Sequence, residues 1–151
     1  MEYCKTGRKA GSRWIFYLLF LSNVYSASAG VFTVTNTNRL GDGSLMWAIQ
    51  EAQSHVGADT ILFALEQTDK GFDGRIWTIF VPYALPTLTD DATFIDGFSQ
   101  SPDSLRHTID VRGDSALITA EGWRINSSFN VIRGLAFGGF PKTFLVLSGS
   151  A

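Results

Sequence analysis

Four charged side chains are of types and at places that could do chemistry: Asp96, Asp110, Arg112 and Arg133. Each lies in a short apolar run closed by glycine, namely Phe94-Ile95-Asp96-Gly97, Ile109-Asp110-Val111-Arg112-Gly113 and Val131-Ile132-Arg133-Gly134. A paired acid can act as general acid or base, or hold Ca²⁺. An outward arginine can neutralise a carboxylate. At strand ends the commoner work of Asp and Arg is turn hydrogen bonding and a solvated face. No catalytic, cofactor-binding or metal-binding residue is therefore assigned. The two histidines, His55 and His107, are far apart and make no metal signature. His55 falls near a helix end and favours the dipole there. His107 precedes a strand and has no nearby nucleophile, and Ser148 and Ser150 have no triad partner by pattern. Trp77 and Trp123 could stack on sugars if exposed, although burial is the commoner fate of such rings. Asn126-Ser127-Ser128 is a glycosylation sequon, with meaning only in a eukaryotic secretory pathway. No Gly-rich phosphate loop, metal cluster or basic patch is present.

The composition bounds what these residues can belong to. A chain of 151 residues suggests one domain. Its formal charge of −2, from 12 Lys+Arg and 14 Asp+Glu, excludes a polybasic nucleic-acid binder and an acidic disordered tail. Glycine at 15 residues and Phe at 12 point to short strands and tight turns.

The N-terminus changes the balance. Lys5, Arg8, Lys9 and Arg13 precede the apolar run WIFYLLFL at 14–21, and Ala27-Ser28-Ala29 follows. A positive head, a short apolar run and a small-x-small end make residues 1–29 a secretory signal peptide. The run is too short to span a bilayer, which needs about 20 apolar residues. Contact with a membrane is therefore expected only through this segment during export. Cleavage after Ala29 leaves 8 Lys+Arg against 13 Asp+Glu and removes the single cysteine, Cys4. An exported chain without disulfides relies on its core and its backbone ladders. That is more typical of bacterial export, and the expected location is secreted, extracellular or cell-surface.

The elements that must position the charged residues read as follows. VFTVTNT at 31–37 alternates as a half-buried strand, with Phe32 and Val34 on one face. Leu45, Ala48, Ile49 and Ala52 form one apolar helical face, so an amphipathic helix is expected over 44–54. Ser44 can cap it, and Gly57 is placed to end it in a left-handed turn. Met46 and Trp47 lie off the main stripe, so the helix touches something on a second side. ILFAL at 61–65 is a short apolar run, and EQTDKGFDGR at 66–75 is an exposed loop. IWTIFV at 76–81 is apolar on both faces, which suggests a strand covered on both sides. Pro82 and Pro86 forbid a regular central strand after it. Two self-similarities follow. Phe94-Ile95-Asp96-Gly97 matches Val131-Ile132-Arg133-Gly134 at an offset of 37, and Thr108 to Gly113 matches Phe144 to Gly149 at an offset of 36. Short strands closed by glycine at near-fixed offset are the sign of a solenoid. No Asn-Gly or Asp-Gly hairpin joins two alternating runs, so parallel stacking is expected, with Ile, Val, Leu and Phe inward and Thr, Ser, Arg and Asp outward.

Several separated motifs occur in order along this chain. They are Phe32-Thr-Val-Thr-Asn-Thr-Asn38, Gly41-Asp-Gly-Ser-Leu45, Ala48-Ile49, Ala52 and Gly57-Ala-Asp-Thr-Ile-Leu-Phe63. Leu85-Pro-Thr-Leu-Thr89, Phe94-Ile-Asp-Gly97 and Asn130-Val-Ile-Arg-Gly-Leu135 follow. Together they resemble the N-terminal region of bacterial secreted right-handed parallel β-helix proteins of the pectin-lyase-like superfamily. The resemblance runs from about Val31 to Gly149. It departs at Met46-Trp47, where the family has Arg-Gln, and at Arg39-Leu40-Gly41, where it has Asp-Ser-Gly. It implies an all-β fold: a right-handed parallel β-helix (β-solenoid) with an N-terminal strand and one capping α-helix, represented by its first coils only. On this reading residues 30–60 are the cap, and 61–151 are the first coils, incomplete at the C-terminus.

Many members of that superfamily cleave or modify acidic polysaccharides on the outer face of stacked coils. The resemblance directs attention to Asp96, Asp110, Arg112 and Arg133, and to a uronate as the anion. Asp90-Asp91 is similar to the paired acids of polygalacturonases, but the companion Asn-Thr-Asp, His-Gly and Arg-x-Lys motifs are absent. The Trp-Ile-Asp-His motif of pectate lyases is also absent, because Gly97 stands where its His would be. The expected function is the capping and first-coil portion of an exported surface, adhesive or glycan-contacting scaffold, non-catalytic in this segment. Two other readings stand beside it: the front of a polysaccharide lyase or glycoside hydrolase whose active site lies beyond residue 151, and a stand-alone carbohydrate-binding module. The expected partner is a polysaccharide or cell-surface glycan, with no nucleic acid and no cofactor. Phe144-Leu-Val-Leu147 is an apolar strand without a polar cap, so an open C-terminal coil could also support self-association.

Overall fold

The computed structural model describes residues 28–101, 106–114, 121–142 and 144–148. The signal-peptide reading up to Ala27, Cys4 within it, and the readings of Gly149 and Ser150 lie outside the described residues. The elements are β1 (Val31–Val34), α1 (Leu45–Ser54), β2 (Thr60–Phe63), β3 (Trp77–Val81) and β4 (Phe94–Asp96). A 3-10 turn at Gly97–Gln100 is followed by β5 (Ile109–Gly113), β6 (Trp123–Ile125), β7 (Val131–Arg133), β8 (Leu135–Gly138) and β9 (Leu145–Leu147). Strands dominate, and α1 is the one α-helix among the described residues.

All pairing between these strands is parallel. The sheets run β1-β2-β4-β7, β3-β5-β8 and β6-β9. Leu88 adds an isolated parallel bridge to Ile125, on the open side of β6. The chain therefore visits the three sheets in rotation: β2, β3 and Leu88, then β4, β5 and β6, then β7, β8 and β9. Parallel neighbours cannot be joined by a tight hairpin, so each pair is separated by a circuit through the other two sheets. The register stacks like on like. Ile61 pairs with Ile95 and Ile95 with Ile132; Ile79 pairs with Val111 and Val111 with Phe137. The core is built of these columns. Ile61, Ile95, Ile79 and Val111 are fully buried, whereas Ile132, Leu135 and Phe137 in the last layer are only partly so.

The first repeat is the pairing of β4 with β7: Phe94 lies beside Val131, Ile95 beside Ile132 and Asp96 beside Arg133. The second repeat is overturned. β5 pairs with β8, and Leu145–Leu147 belongs to β9 beside β6. The reason is the turn after the first-sheet strand. Between β4 and β5 it is a 12-residue excursion, but between β7 and β8 it is Gly134 alone, so the offset between layers is not constant.

At the N-terminal side, Ser44 caps α1, its Oγ accepting the Trp47 amide at 3.2 Å. Leu45, Ala48, Ile49 and Ala52 are buried as the spacing predicts, and Met46 joins them, so the apolar stripe is wider than expected. Trp47 packs against the core from the side. The helix does not end in a left-handed glycine. His55 is its C-cap in extended conformation, and Gly57 follows with φ 137. A Cβ at Gly57 would lie 2.7 Å from the Ser28 carbonyl oxygen, so the glycine serves a close chain crossing. β1 is shorter than the alternation suggests. The amides of Thr35 and Asn36 turn to the Gly43 carbonyl, at 2.9 and 3.2 Å, and leave the ladder. Thr37 is then buried and bound by Asp69. The loop at 66–75 is tied down in the same way: Phe72 stacks on Trp77 with centroids 4.3 Å apart.

Candidate functional site

The four charged residues are brought together in two pairs, not in one site. Asp96 and Arg133 are register partners on the first sheet. The guanidinium donates to both carboxylate oxygens, at 2.9 and 2.8 Å. It also lies over the Phe94 ring at 4.9 Å. The Phe98 amide donates to the same carboxylate at 3.1 Å and caps the 3-10 turn. The hydrogen bonds from Arg133 hold the Asp96 carboxyl below its ordinary range, against the opposing effect of burial. A carboxylate so occupied is a weak base, and its geometry is that of a strut between layers. Asp110 and Arg112 stand two apart on β5 of the second sheet, so they share its outer face and pair at 2.8 Å.

Asp90 and Asp91 have different tasks. Asp91 accepts the Ser128 amide across layers at 2.7 Å. Asp90 Oδ2 is buried without a hydrogen-bond partner. Burial, then the charge of Asp59, pushes the Asp90 carboxyl up. Asp59 is itself buried; its Oδ1 accepts the Gly30 amide at 2.8 Å and meets His55 Nδ1 at 3.0 Å. His55 thus ends the helix and also joins it to the turn before β2. Asp59 stood in the sequence only as part of the motif Gly57 to Phe63; its partners were not legible, because its role depends on contacts that only folding creates.

Trp77 and Trp123 are buried, and their indole N–H groups donate to the carbonyls of Glu66 and Pro86, both at 2.9 Å. Neither offers a ring to solvent. Phe80, which the apolar pattern placed on a covered face, is one of the exposed rings, with Tyr83 and Phe129. β3 is covered on one side only: Trp77, Ile79 and Val81 point inward, and Phe80 is 45% exposed. Its neighbour across the ladder is Arg112, and the Arg39 guanidinium lies 6.0 Å from its ring centroid. Arg39 in turn bridges to Asp114 at 3.0 Å. Thr37, Arg39, Lys70, Gly71, Thr78 and Phe80 line a recess of about 310 Å³ on this face.

A larger cleft, of about 690 Å³, lies where the chain enters β3 and β5, between residues 73–76 and 106–108. His107 is part of its wall and exposed. Asn126 of the sequon is exposed, and the Ser148 hydroxyl is 3.4 Å from its Oδ1. Among the described residues, no group of three or more His, Cys, Asp or Glu is placed to hold a metal ion. Among the same residues no helix is long and apolar enough to cross a membrane. Comparison with protein-family models, with curated proteins and with solved structures finds no significant match.

Proposed function

We propose that this chain is the capping and first-coil portion of an exported right-handed parallel β-helix, a non-catalytic scaffold whose outer face contacts glycan. The observation that carries the reading is the rotation of parallel strands through three sheets, with α1 beside the first strands. Parallel crossovers within one sheet are right-handed in about 98% of cases, which supports that hand. Ser44 and the buried stripe of α1 suit a cap over an apolar layer that would otherwise be open. The order of motifs that resembles the pectin-lyase-like superfamily supports the same architecture. Export rests on the basic head, apolar run and Ala27-Ser28-Ala29 of the first 29 residues.

Glycan contact is supported by the recess around Phe80. An exposed aromatic ring offers a face for the apolar side of a pyranose, and Thr37, Thr78, Arg39 and Lys70 surround it with hydrogen-bonding groups. The test is a glycan array probed with the chain from Gly30 onward and with its Phe80→Ala variant. Retention of a defined set of glycans, reduced roughly tenfold by loss of the ring, is expected. The same glycans should be recovered uncleaved after incubation. Absence of retention, or equal retention by the variant, would remove the glycan reading; depolymerised product would replace the scaffold with an enzyme.

A further inference from the structure

We propose that the cleft between residues 73–76 and 106–108 is a binding site for an oxyanion, a carboxylate, sulfate or phosphate group carried by a small ligand. The residues from 30 to 151 carry 8 Lys+Arg against 13 Asp+Glu, so a cleft that gathers two arginines is informative. Of the six arginines among the described residues, Arg39, Arg112, Arg124 and Arg133 are in ion pairs. The two that form none, Arg75 and Arg106, line this one cleft. His107 stands beside Arg106 in the same wall.

Among the described residues the cleft holds one carboxylate, Asp73, and its Oδ1 is already engaged. Asp73 Oδ1 accepts the amides of Arg75 and Ile76 at 2.9 and 2.8 Å. It closes the turn before β3; the amides of Ile76 and Arg75, and also the charge of Arg75, hold the Asp73 carboxyl low, but no ion pair joins Asp73 to either guanidinium among the described residues. Thr108 adds a further donor: its Oγ1 is buried and has no hydrogen-bond partner among the described residues. The two walls are fixed relative to each other, because the Trp77 amide donates to the Thr108 carbonyl at 2.8 Å and β3 and β5 run in register. Guanidinium groups match planar and tetrahedral oxyanions through paired N–H donors, and a volume of about 690 Å³ is that of a small-molecule site. The cleft is lined by none of the residues that form the Phe80 recess, so the inference stands apart from the glycan reading.

The test is a calorimetric titration of the full chain with sodium sulfate, with sodium glucuronate and, as the neutral control, with glucose. Saturable binding of at least one oxyanion and none of glucose is expected. Sulfate binding shows that the anion alone suffices, and glucuronate binding without sulfate binding assigns the site to a sugar acid. Arg75→Gln with Arg106→Gln should weaken binding roughly tenfold or more. Lys142→Gln, a cation outside the cleft, should leave it unchanged. Arg106→Gln alone, checked by its melting curve, gives the same reading if the double variant folds poorly. No saturable binding through about 10 mM of either oxyanion would overturn the proposal, as would equal affinity in the arginine variants.

Discussion

Asp96 and Asp90 are six residues apart, yet folding pushes their carboxyl groups in opposite directions. Arg133 favours the ionised form of Asp96, so this residue adds stability above the ordinary carboxylate value of 3.8. That stability is lost as pH falls through the depressed folded value. Burial and the neighbouring Asp59 disfavour the ionised form of Asp90. Its charge therefore costs stability once pH rises through the elevated folded value, and the cost is absent in acid. Melting curves from pH 2 to 7 should separate the two. Asp90→Asn is expected to melt higher than the parent at pH 7 and to converge with it below about pH 4. Asp96→Asn should melt lower at pH 7, by the loss of the ionised partner of Arg133, and converge in acid. The types of both residues were legible in the sequence, and so was the place of Asp96 at a strand end. Their partners were not. The Asp96–Arg133 pair follows from a repeat that can be seen, whereas Asp59 meets His55, and its charge acts on Asp90, only through the way the turn before β2 packs on the end of α1.

At the scale of elements, apolar spacing and capping residues located α1, because a helix is specified by its own residues. The strand boundaries and the outer face of β3 were less legible. An apolar run such as IWTIFV reads as doubly covered whether or not anything covers its second face. Phe80 is 45% exposed on the outer face of the second sheet, and no strand or helix among the described residues is paired or packed over it. The offset between layers was readable where the turns are alike and misleading where one layer crosses from first to second sheet through Gly134 alone. That turn is specific. Gly134 has φ 70, and a Cβ there would lie 2.5 Å from the Phe98 amide nitrogen. Gly134→Ala should cost at least about 2 kcal/mol, from left-handed strain together with the overlap. Ser44→Ala, which removes only the cap of α1, should cost about 1 kcal/mol. Urea denaturation of the two variants would check the order; equal costs would show that the single-residue turn relaxes without effect on the layers it joins.

In the whole molecule, stacking makes stability depend on position along the stack. β4 and β5 are paired on both edges and lie among fully buried columns. β7, β8 and β9 each pair on one edge only among the described residues, and the columns they end with Ile132, Leu135 and Phe137 are half covered. Leu147, at 72% exposure, lies in β9, and Phe129, at 86%, lies in the turn that leads into β7. The opposite side differs: α1 packs on β1 and β2 and buries its apolar stripe there. Repeat architectures open from their less protected end, since each layer is held by its neighbours alone. Amide hydrogen exchange should therefore be slowest in β4 and β5, and faster in β7, β8 and β9 by a factor that grows toward the last layer. If a second copy docks on these three edges, as proposed for self-association, the pattern would depend on concentration. A second copy that docks edge to edge would satisfy unpaired amides and cover the apolar layer together. Exchange from β7, β8 and β9 should then slow as the protein is concentrated, while β4 and β5 stay constant. Uniform protection at every concentration would mean that the last layer is closed within the single chain, and that the open-edge account of self-association is wrong.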